Sequence, residues 1–537
     1  MNLMTDPWIP VRCASGRPRL ISPLQLADEE DPPLELDAIR PDFNAALAQF
    51  LVGLMQWLAP DNESEWRRVA EGRERPAFER WRELGHCFYF DTGPRRFMQD
   101  LDFEPDEPGD LSALLLEAPG GNTLRNNTDL FIKRSEGTTL SMPIAAQALL
   151  TLQINAPAGG QGHRTSVRGG GPVSMLLWPP RLGNKATPLW RKLWLNTLVL
   201  EGDEPRLDVV FPWMAPCLTS EGGRDVHTHL AEQPPSDIEQ ALLCYFATPR
   251  RIRLHFEVEG TCSLTGQRGP CAIAMEMRNL GANYRSDLFQ HPLSPYYRDK
   301  AGSFLPIHVR ETGFTYADWV LACEDSEQFR RPRSLRSERL GMELRVQLPA
   351  DSVWATGFAM DNMKCLAWHE VRFRHLDLDE ARRAAVLHEV RIWLGGAEHV
   401  RQELAKQLRV AWGGTAAGDT SVVERELFSR TEEAFYRLVG ELAAMGEATE
   451  EQQVQFHQEL RRRWQKQLAG VALQLFQRHA EQGDAAEETV QALRRVSIAH
   501  RNLLQAVHGG LARKLGIASP AAKAGRTTAT GKKEKAA

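Results

Sequence analysis

The sequence contains no long apolar run, no closely spaced cysteine pair and no export signal. A helix needs roughly 20 apolar residues to cross a bilayer, and no segment approaches this length, so we expect no membrane span and no membrane partner. The eight cysteines form no CxxC pair, which argues against a disulfide framework and a ribbon-type zinc site. Met1 to Asp6 have neither a basic start nor an apolar core, and we expect a cytoplasmic protein.

The motifs of common catalytic centres are missing too. The segment nearest to a nucleotide-binding P-loop, Gly525 to Lys532, has the wrong spacing and lacks the serine or threonine of that motif. His369-Glu370 and His388-Glu389 each begin a helical zinc motif, but neither pair is followed by the second histidine. No Gly-x-Ser-x-Gly elbow occurs. The sequence therefore predicts no catalytic centre and no cofactor.

Length and charge leave the class of partner open. A chain of 537 residues exceeds what one hydrophobic core usually supports, so we expect two or more domains. The formal net charge of −5 argues against a uniformly basic surface. Nucleic-acid binding nevertheless requires only a local positive face, because the neutralisation of phosphates is a short-range effect.

Residues 1–375 are predicted to form an irregular mixed α/β domain. Short β-like runs alternate there with helical stretches and with loops rich in glycine and proline. The β-like runs are Trp8–Val11, Ala148–Ile154, Ser174–Trp178, Arg251–Val258 and Arg345–Leu348. Together with the helical region that follows, this pattern indicates the α+β class.

Proline is absent from residue 376 until Pro520, and this segment divides into four pieces. Each piece opens with an N-cap residue and an acceptor three residues later. The pairs are Asp377 with Glu380, Ser421 with Glu424, Thr449 with Gln452, and Asp484 with Glu487. We predict a four-helix bundle over 376–517, with simple packing of these helices on the first domain as the alternative. Residues 518–537 are small, polar and basic, and we expect a disordered tail.

The last predicted helix has the clearest periodicity. Apolar residues recur at spacings of three and four, which places them on one stripe. They are Val490, Leu493, Val496, Leu504, Val507, Leu511 and Leu515. We expect this stripe to pack in the bundle.

One histidine motif is a candidate for metal binding. In Asp225-Val226-His227-Thr228-His229, alternate residues of an extended segment could direct both imidazoles at one ion. A surface loop explains the motif at least as well, because glycines precede it, prolines follow it and no third ligand is evident. Cys262 and Cys271 are weaker candidates, since they are nine residues apart and belong to no pair.

The most distinctive segment is rich in glycine. It runs from Gly159-Gly160-Gln161-Gly162 through Arg164 to Arg168 and the glycines at 169–171. Glycine lets the backbone approach a ligand with no Cβ in the way, and the two arginines add positive charge beside it. A flexible linker is the alternative, but linkers favour neutral or acidic neighbours. The segment therefore predicts a loop that binds a polyanion.

Several short motifs occur in a fixed order along the chain. They are Trp8-Ile9-Pro10-Val11, Phe97-Met98-Gln99-Asp100, Ala145-Ala146-Gln147-Ala148-Leu149, the glycine-rich loop, His291-Pro292-Leu293-Ser294-Pro295 and Gly357-Phe358-Ala359-Met360-Asp361-Asn362-Met363-Lys364. The ordered set resembles the large-subunit (CasA) family of type I-E CRISPR Cascade complexes. This resemblance implies a globular N-terminal domain followed by a four-helix bundle.

The resemblance also implies a function. A member of this family recognises the protospacer-adjacent motif in duplex DNA, largely from the minor groove. It helps to open the duplex so that guide RNA can pair with the target strand. It acts with other Cascade subunits and CRISPR guide RNA in antiviral defence, and it helps to recruit a separate helicase-nuclease. We therefore expect a non-catalytic subunit of a ribonucleoprotein complex that binds RNA and DNA.

Two DNA-contacting segments follow from the resemblance. The minor-groove loop would comprise Gly159, Gly160, Gln161 and Gly162, beside the positive charges of Arg164 and Arg168. A wedge inserted beneath the motif would comprise Asp361, Asn362, Met363 and Lys364. Without the resemblance, an ordinary β-turn is the preferred interpretation of the Asp-Asn pair in this second segment.

Two further contacts are implied in the same way. The family has a motif-contacting lysine before the His-Pro segment, and Arg278 or Arg285 would replace it in this sequence. Phe131, Lys133 and Arg134 would contact the 5′ handle of the guide RNA, where an aromatic ring stacks on an unpaired base. An ordinary core position is the alternative for Phe131.

The sequence departs from the family in one respect and leaves two other functions open. Some members bind zinc through two pairs of cysteines, but here only Cys262 lies near such a position, and Thr265 stands where its partner would be. We predict no structural zinc. The first alternative function is a metal-dependent nuclease or phosphoesterase that uses His227 and His229. The second is an architectural subunit that binds RNA but ignores DNA sequence.

Overall fold

The computed structural model describes residues 1–129, 134–157, 162–335, 348–349, 351–362, 364–375, 380–413, 418–446, 448–481 and 490–517. Close contacts divide the chain into two compact units. The first, here the mixed unit, comprises Met1–Phe314 and Leu321–Asp377. The second, here the helical unit, comprises Thr315–Val320 and Leu378–Ala537. The predicted α+β class is confirmed.

The strands of the mixed unit are short and pair in small antiparallel sheets. In chain order they are β1 (Ile9–Cys13), β2 (Pro18–Ile21), β3 (Pro33–Leu36), β4 (Gly109–Asp110), β5 (Leu140–Ser141), β6 (Ser174–Leu177), β7 (Arg181–Leu182), β8 (Lys185–Ala186), β9 (Arg251–Thr261), β10 (Arg268–Arg278), β11 (Tyr296–Arg298), β12 (Phe304–Pro306), β13 (Phe329–Arg330), β14 (Val353–Asp361) and β15 (Lys364–Phe373). The sheet orders are β2-β1-β3, β4-β10-β5 with β9 beside β10, β12-β11-β13, β15-β14-β6, and β7-β8. The two longest hairpins, β9-β10 and β14-β15, supply most of the strand pairing.

The helices differ in length between the two units. Those of the mixed unit are α1 (Pro41–Leu58), α2 (Glu63–Ala70), α3 (Gly121–Arg125), α4 (Met142–Asn155), α5 (Leu189–Trp194), α6 (Leu207–Val210), α7 (Val226–His229) and α8 (Asp237–Phe246). Those of the helical unit are α9 (Glu380–Ala411), α10 (Ser421–Ala443), α11 (Glu450–Phe476), α12 (Val490–Gln505) and α13 (Leu511–Lys514). A π-helical turn, Ala506–Gly510, joins α12 to α13, so these two form one irregular helix. None of the described helices is long and apolar enough to span a bilayer.

The core of the mixed unit is built around α1 and α4. Both helices are apolar on nearly every side and almost all of their residues are buried, as expected for helices enclosed by protein. Phe50 of α1 lies at the centre of an aromatic cluster, with its ring centroid 5.4 Å from that of Trp8 and 5.8 Å from that of Phe97. The first two sequence motifs therefore meet in this core.

Three of the predicted strands are confirmed and one is wrong. The segments beginning at Trp8, Ser174 and Arg251 contain β1, β6 and β9. Ala148–Ile154, by contrast, is the C-terminal half of the helix α4. An apolar run that is buried on all sides has no periodicity by which a strand can be distinguished from a helix. In the remaining segment, residues 345–347 lie outside the described residues.

The capping signatures of the helical unit have mixed outcomes. Thr449 forms the predicted capping box with Gln452 at the start of α11. Ser421 is wrong as a cap, because Thr420 is the N-cap residue and Ser421 is already the first residue of α10. The predicted caps Asp377 and Asp484 lie outside the described residues.

The apolar stripe of the last helix is buried over only half of its length. Val507, Leu511 and Leu515 are fully buried, whereas Val490 and Leu493 are 82% and 50% exposed. The prediction of a stripe packed throughout is therefore wrong for α12, where Leu504 near the C-terminal end is also 37% exposed.

A short segment from the middle of the chain belongs to the helical unit. Within Thr315–Val320, the Tyr316 ring stacks on Phe435 with a centroid distance of 4.4 Å, and its hydroxyl lies 3.0 Å from the Thr431 hydroxyl. Trp319 packs edge-on against Phe435 and Tyr436. The predicted boundary at residue 375 puts this segment in the first domain. In the structure, its aromatic side chains form part of the core of the helical unit.

A buried carboxylate holds two helices of this unit together. Glu389 of α9 accepts hydrogen bonds from Arg461 of α11, at 2.7 Å from Nε and 2.6 Å from Nη2. It also accepts one from Trp393 Nε1 at 2.7 Å. Because a buried charge is stable only when it is paired and hydrogen-bonded, this arrangement fixes how α9 and α11 pack.

Replacing Arg461 with methionine is expected to lower the free energy of unfolding of the helical unit by about 3 kcal/mol, because Glu389 loses its charged partner inside the protein. Hydrogen exchange of α9 backbone amides in the full chain measures this loss. The double variant Glu389→Gln with Arg461→Met recovers part of it, since no buried charge remains. A loss below about 1 kcal/mol, typical of exposed ion pairs, would contradict the assignment.

Candidate nucleic-acid interface

The described part of the glycine-rich loop begins at Gly162, and Gly159, Gly160 and Gln161 lie outside the described residues. The Gly162 backbone has φ +81°, a conformation that favours glycine. Its carbonyl oxygen accepts a hydrogen bond from the Leu280 N–H at 2.8 Å. The loop is therefore attached to the chain that leaves the end of β10.

Of the two arginines proposed to replace the family's lysine, Arg278 lies near this attachment. Arg278 ends β10, two residues before Leu280, and pairs with Asp106 at 2.8 Å. Arg285 pairs instead with Asp287 at 2.7 Å and lies 3.8 Å from Asp225. The structure thus brings Gly162 and the Arg278 segment together.

Arg164 is partly exposed and held beside the same attachment. Its Nε donates a hydrogen bond to the Ser220 hydroxyl at 2.7 Å. The Ser220 N–H in turn donates to the Leu280 carbonyl at 3.1 Å. Arg164 is therefore a charge oriented by the protein and available at the base of the loop.

Arg168 is not a DNA contact, and that prediction is wrong. The residue is 2% exposed, and its guanidinium donates hydrogen bonds to Gln49 Oε1, Ser174 Oγ and Ser294 Oγ at 2.5, 2.7 and 2.9 Å. Burial lowers the pKa of Arg168 to about 10, which leaves the group charged at neutral pH. The number of arginines in a loop does not reveal which of them points into the core.

Of the glycines at 169–171, Gly171 lies against strand β14, and the other two lie against His308. Gly171 has φ +68°, and a Cβ built on it would overlap the carbonyl oxygen of Phe358 and lie 2.7 Å from Met360 Cγ. The carbonyl oxygen of Gly170 lies 2.7 Å from His308 Nδ1. Only glycine allows the loop to approach β14 this closely.

The predicted wedge lies at the tip of the β14-β15 hairpin. Asp361 pairs with Lys364 across the end of the hairpin, and Met363 lies outside the described residues. Asp361, Asn362 and Lys364 are exposed. Asn362 has φ +53°, a conformation that asparagine adopts more readily than most residues and that is typical of tight hairpin turns. The turn and the wedge interpretations thus describe the same exposed tip.

The segment proposed to contact guide RNA is described only in part. Phe131 and Lys133 lie outside the described residues. Arg134 is exposed, and its guanidinium bonds to Asp129 at 2.6 Å and to Asn127 Oδ1 at 2.8 Å. Any RNA phosphate that binds Arg134 would therefore compete with Asp129.

The histidine motif does not form the extended arrangement on which the metal hypothesis depends. Val226–His229 is a single helical turn, α7, and Asp225 caps it by accepting from the Thr228 N–H at 2.7 Å. Helical residues two positions apart do not face each other. His229 Nε2 lies 2.8 Å from the Thr219 carbonyl oxygen. Among the residues that the structure describes, no group of three histidine, cysteine or acidic side chains is placed to hold a metal.

Cys262 lies in the turn between β9 and β10, beside Thr265. Burial raises the pKa of the Cys262 thiol, but hydrogen bonds from the Thr265 side chain and from backbone amides outweigh this effect and lower the pKa below its usual value. Thr265 therefore contacts the thiol in the place where a second cysteine would stand. The absence of structural zinc stays a prediction.

Arg278, a predicted contact, belongs to an arginine cluster whose other members, Arg251 and Arg253, were not predicted. Arg251, Arg253 and Arg278 surround the Phe103 ring, with guanidinium carbons 5.5, 4.5 and 5.6 Å from its centroid. Arg251 and Arg253 are two residues apart on β9, and Arg278 is paired with Arg251 across the hairpin. Alternate residues of a strand lie on one face. The spacing of two between Arg251 and Arg253 is therefore a signal in the sequence by which this pair could have been predicted.

A sequence profile described as CRISPR-associated protein Cse1 matches residues 2–475. The chain belongs to the Cse1 family. The resemblance to the large-subunit family predicted from the ordered motifs is thereby confirmed.

Solved structures have the same fold at low sequence identity. Cse1 from Thermobifida fusca is 16% identical with a TM-score of 0.65, over 96% of this chain and 98% of that chain. CasA (Cse1) from Thermus thermophilus is 18% identical with a TM-score of 0.61, over 95% and 99%. A chain in a CRISPR RNA-guided surveillance complex is 15% identical with a TM-score of 0.63, over 94% and 99%. At these identities the likeness concerns the fold.

Replacing Gly171 with alanine is expected to destabilise this Cse1 chain by about 2 kcal/mol more than replacing Gly183, because the new methyl group overlaps β14. Gly183 is the matched control, since it has a similar φ of +62° and no atom within 4 Å of a built Cβ. Chemical denaturation of both variants measures the difference. Equal losses would show that backbone strain alone, without the contact to β14, constrains Gly171.

Proposed function

We propose that this Cse1 chain is a non-catalytic subunit of a CRISPR RNA-guided surveillance complex and reads the protospacer-adjacent motif in duplex DNA. Family membership and the fold shared with a chain of such a complex support this proposal. Its partners are the other Cascade subunits, guide RNA, the target duplex and a helicase-nuclease recruited for degradation. The observation that carries the proposal is the direct packing of the glycine-rich loop against the strand that ends in the exposed hairpin tip.

The glycine-rich loop reads the motif from the minor groove. That groove is narrow and presents a degenerate pattern of acceptors, which suits a backbone without side chains. Gly162 is held by Leu280, and the exposed side chain of Asn279 lies beside it. Arg164 supplies a positive charge near the phosphates. Base pairing with guide RNA then reads the remaining target sequence.

The hairpin tip acts as the wedge that opens the duplex. Strand β14 is the central strand of its sheet, paired with β15 on one side and β6 on the other, so the tip projects from a rigid support. Lys364 provides a cation for the displaced phosphate backbone, and Met363 provides an apolar surface for the disrupted base stack. Proteins that kink DNA insert apolar side chains in the same way.

The arginine cluster and Arg134 supply further contacts with nucleic acid. A chain with a net charge of −5 needs a local concentration of arginine to bind phosphates. Arg278, which is 35% exposed, is the member of the cluster most accessible to DNA. Arg134, with Phe131 and Lys133, contacts the 5′ handle of the guide RNA.

Replacing Asn362 and Lys364 with alanine is expected to slow opening of a matched target by about tenfold, because the wedge loses its polar and cationic contacts. Fluorescence of 2-aminopurine next to the motif measures opening by the assembled complex. The matched control replaces Asn184 and Lys185 at the tip of the β7-β8 hairpin. Lys185 pairs with Leu182 there as Lys364 pairs with Asp361, and it is also exposed. Unchanged opening in the Asn362 and Lys364 variant would remove the wedge from the mechanism.

Replacing Gly160 or Gly162 with valine is expected to abolish discrimination between motif and non-motif duplexes, because a branched side chain keeps the backbone out of the groove. A motif-library binding screen with the reconstituted complex measures discrimination. The control is Gly183→Val, which has comparable backbone strain away from the loop. Full discrimination by the Gly160 and Gly162 variants would contradict the proposed role of the loop.

A further inference from the structure

We propose that Arg168 is a positioning residue that fixes the glycine-rich loop and the wedge hairpin to one rigid frame, so that reading the motif and opening the duplex are mechanically coupled. The proposal rests on the function given above. It assigns a role to a buried cation that makes no contact with DNA.

The three partners of Arg168 come from three separate parts of the mixed unit. Gln49 belongs to the core helix α1, Ser174 begins strand β6, and Ser294 lies in the turn that precedes β11. All three are neutral, so the charge is buried without a carboxylate among these partners. Burial of an arginine in this way is costly. What the protein gains is geometry, because the planar guanidinium reaches several acceptors in fixed directions.

The turn that carries Arg168 is tied to the helix that precedes the glycine-rich loop and is closed by hydrogen bonds of its own. The Ser166 N–H donates to the Ala156 carbonyl at 3.1 Å, which joins the turn to the end of α4 before the loop. The Gly169 N–H donates to the Ser166 carbonyl at 3.0 Å, and the Ser166 hydroxyl donates to the Gly169 carbonyl at 2.5 Å. A shift of the Arg168 side chain therefore moves the base of the loop.

The same turn is tied to the wedge hairpin by two routes. Ser174, one of the Arg168 partners, pairs with Thr356 of β14. Gly171 packs against Phe358 and Met360 of that strand, directly before Asp361 at the tip. Packed interiors transmit displacement because they have little free volume. Arg168 thus contacts the residues that connect the glycine-rich loop to strand β14 and its hairpin tip.

Coupling has a specific consequence for the order of events. When the loop enters the groove, the tip is already aligned with the base pair that is to be opened. Without Arg168 the loop still packs on β14 through Gly171, but the turn loses its hydrogen bonds to the core, so the loop and the hairpin are aligned less rigidly. Loss of Arg168 therefore slows the opening of a closed duplex, but it does not slow guide pairing with a target whose strands are already separated.

The test uses the full complex reconstituted with the variant Arg168→Lys, which keeps the positive charge and loses the planar fork. Opening rates are measured on a closed duplex and on a duplex with a pre-formed bubble beside the motif. We expect opening of the closed duplex to slow by about tenfold, as the loss of one or two buried hydrogen bonds to a charge implies. Guide pairing on the bubble should stay within about twofold of the unaltered complex.

Three further variants separate coupling from general damage. Arg298→Lys is the matched control, because Arg298 is an exposed arginine of the same unit on β11; it should behave as the unaltered chain. Gln49→Glu retains an acceptor for Arg168 and should preserve opening, whereas Gln49→Ala should slow it. If the Arg168 variant does not assemble, the two Gln49 variants decide the question.

The outcomes are distinct. Equal slowing on the closed and bubbled duplexes would mean that Arg168 only stabilises the fold, and unchanged opening of the closed duplex would mean that no coupling exists. Either result overturns the proposal. Failure of the proposed function is recognised separately, since the unaltered complex would then open targets with and without the motif at the same rate.

Discussion

The close approach of Gly171 to the backbone of Phe358 is the contact on which the proposed interface depends. It requires a residue without a Cβ, in a backbone conformation that favours glycine, at the point where the glycine-rich loop passes strand β14. Because β14 is also the strand that ends at Asp361, the contact brings two segments that are about 200 residues apart in sequence into one structure. The glycines of the loop therefore have two roles. Gly171, near its end, leaves room for the protein itself, whereas the proposed function assigns the glycines at its beginning to the approach to DNA.

A buried charge reinforces this contact from the inside. Arg168 looks in sequence like the second of two cations on a polyanion-binding loop, but its partners are Gln49, Ser174 and Ser294 in the core. Arg164, four residues earlier, is the one that stays near the surface. Composition indicates that a loop carries positive charge, and only the tertiary structure determines which arginine binds a ligand and which one holds the loop. The cluster around Phe103 needs tertiary structure for a different reason, because Arg278 meets Arg251 and Arg253 only through the register of β9 with β10.

Much of the fold was predictable from local patterns, and the failures have physical causes. The α+β class, the strands at Trp8, Ser174 and Arg251, and the capping box at Thr449 follow from short-range preferences that the tertiary structure preserves. Ala148–Ile154 was assigned to a strand because a helix buried on all sides has no apolar period. The metal hypothesis for His227 and His229 requires an extended segment, whereas the helical backbone of α7 directs the two side chains apart. The Asp-Asn pair predicts the turn at the hairpin tip, but its role as a wedge is predicted only from the family resemblance, because an Asp-Asn turn looks the same whether or not it meets DNA.

The proposed function requires the glycine-rich loop and the hairpin tip to face the same stretch of duplex DNA. Site-specific photo-crosslinking tests this most directly, with a crosslinking side chain at Asn279, beside Gly162, in one complex and at Asn362 in another. We expect both positions to crosslink to base pairs within and immediately beside the motif, and Asn184 at the tip of the β7-β8 hairpin not to crosslink to them. Crosslinks from Asn279 and Asn362 to distant regions of the target, or no DNA crosslink from either position, would contradict the proposed function.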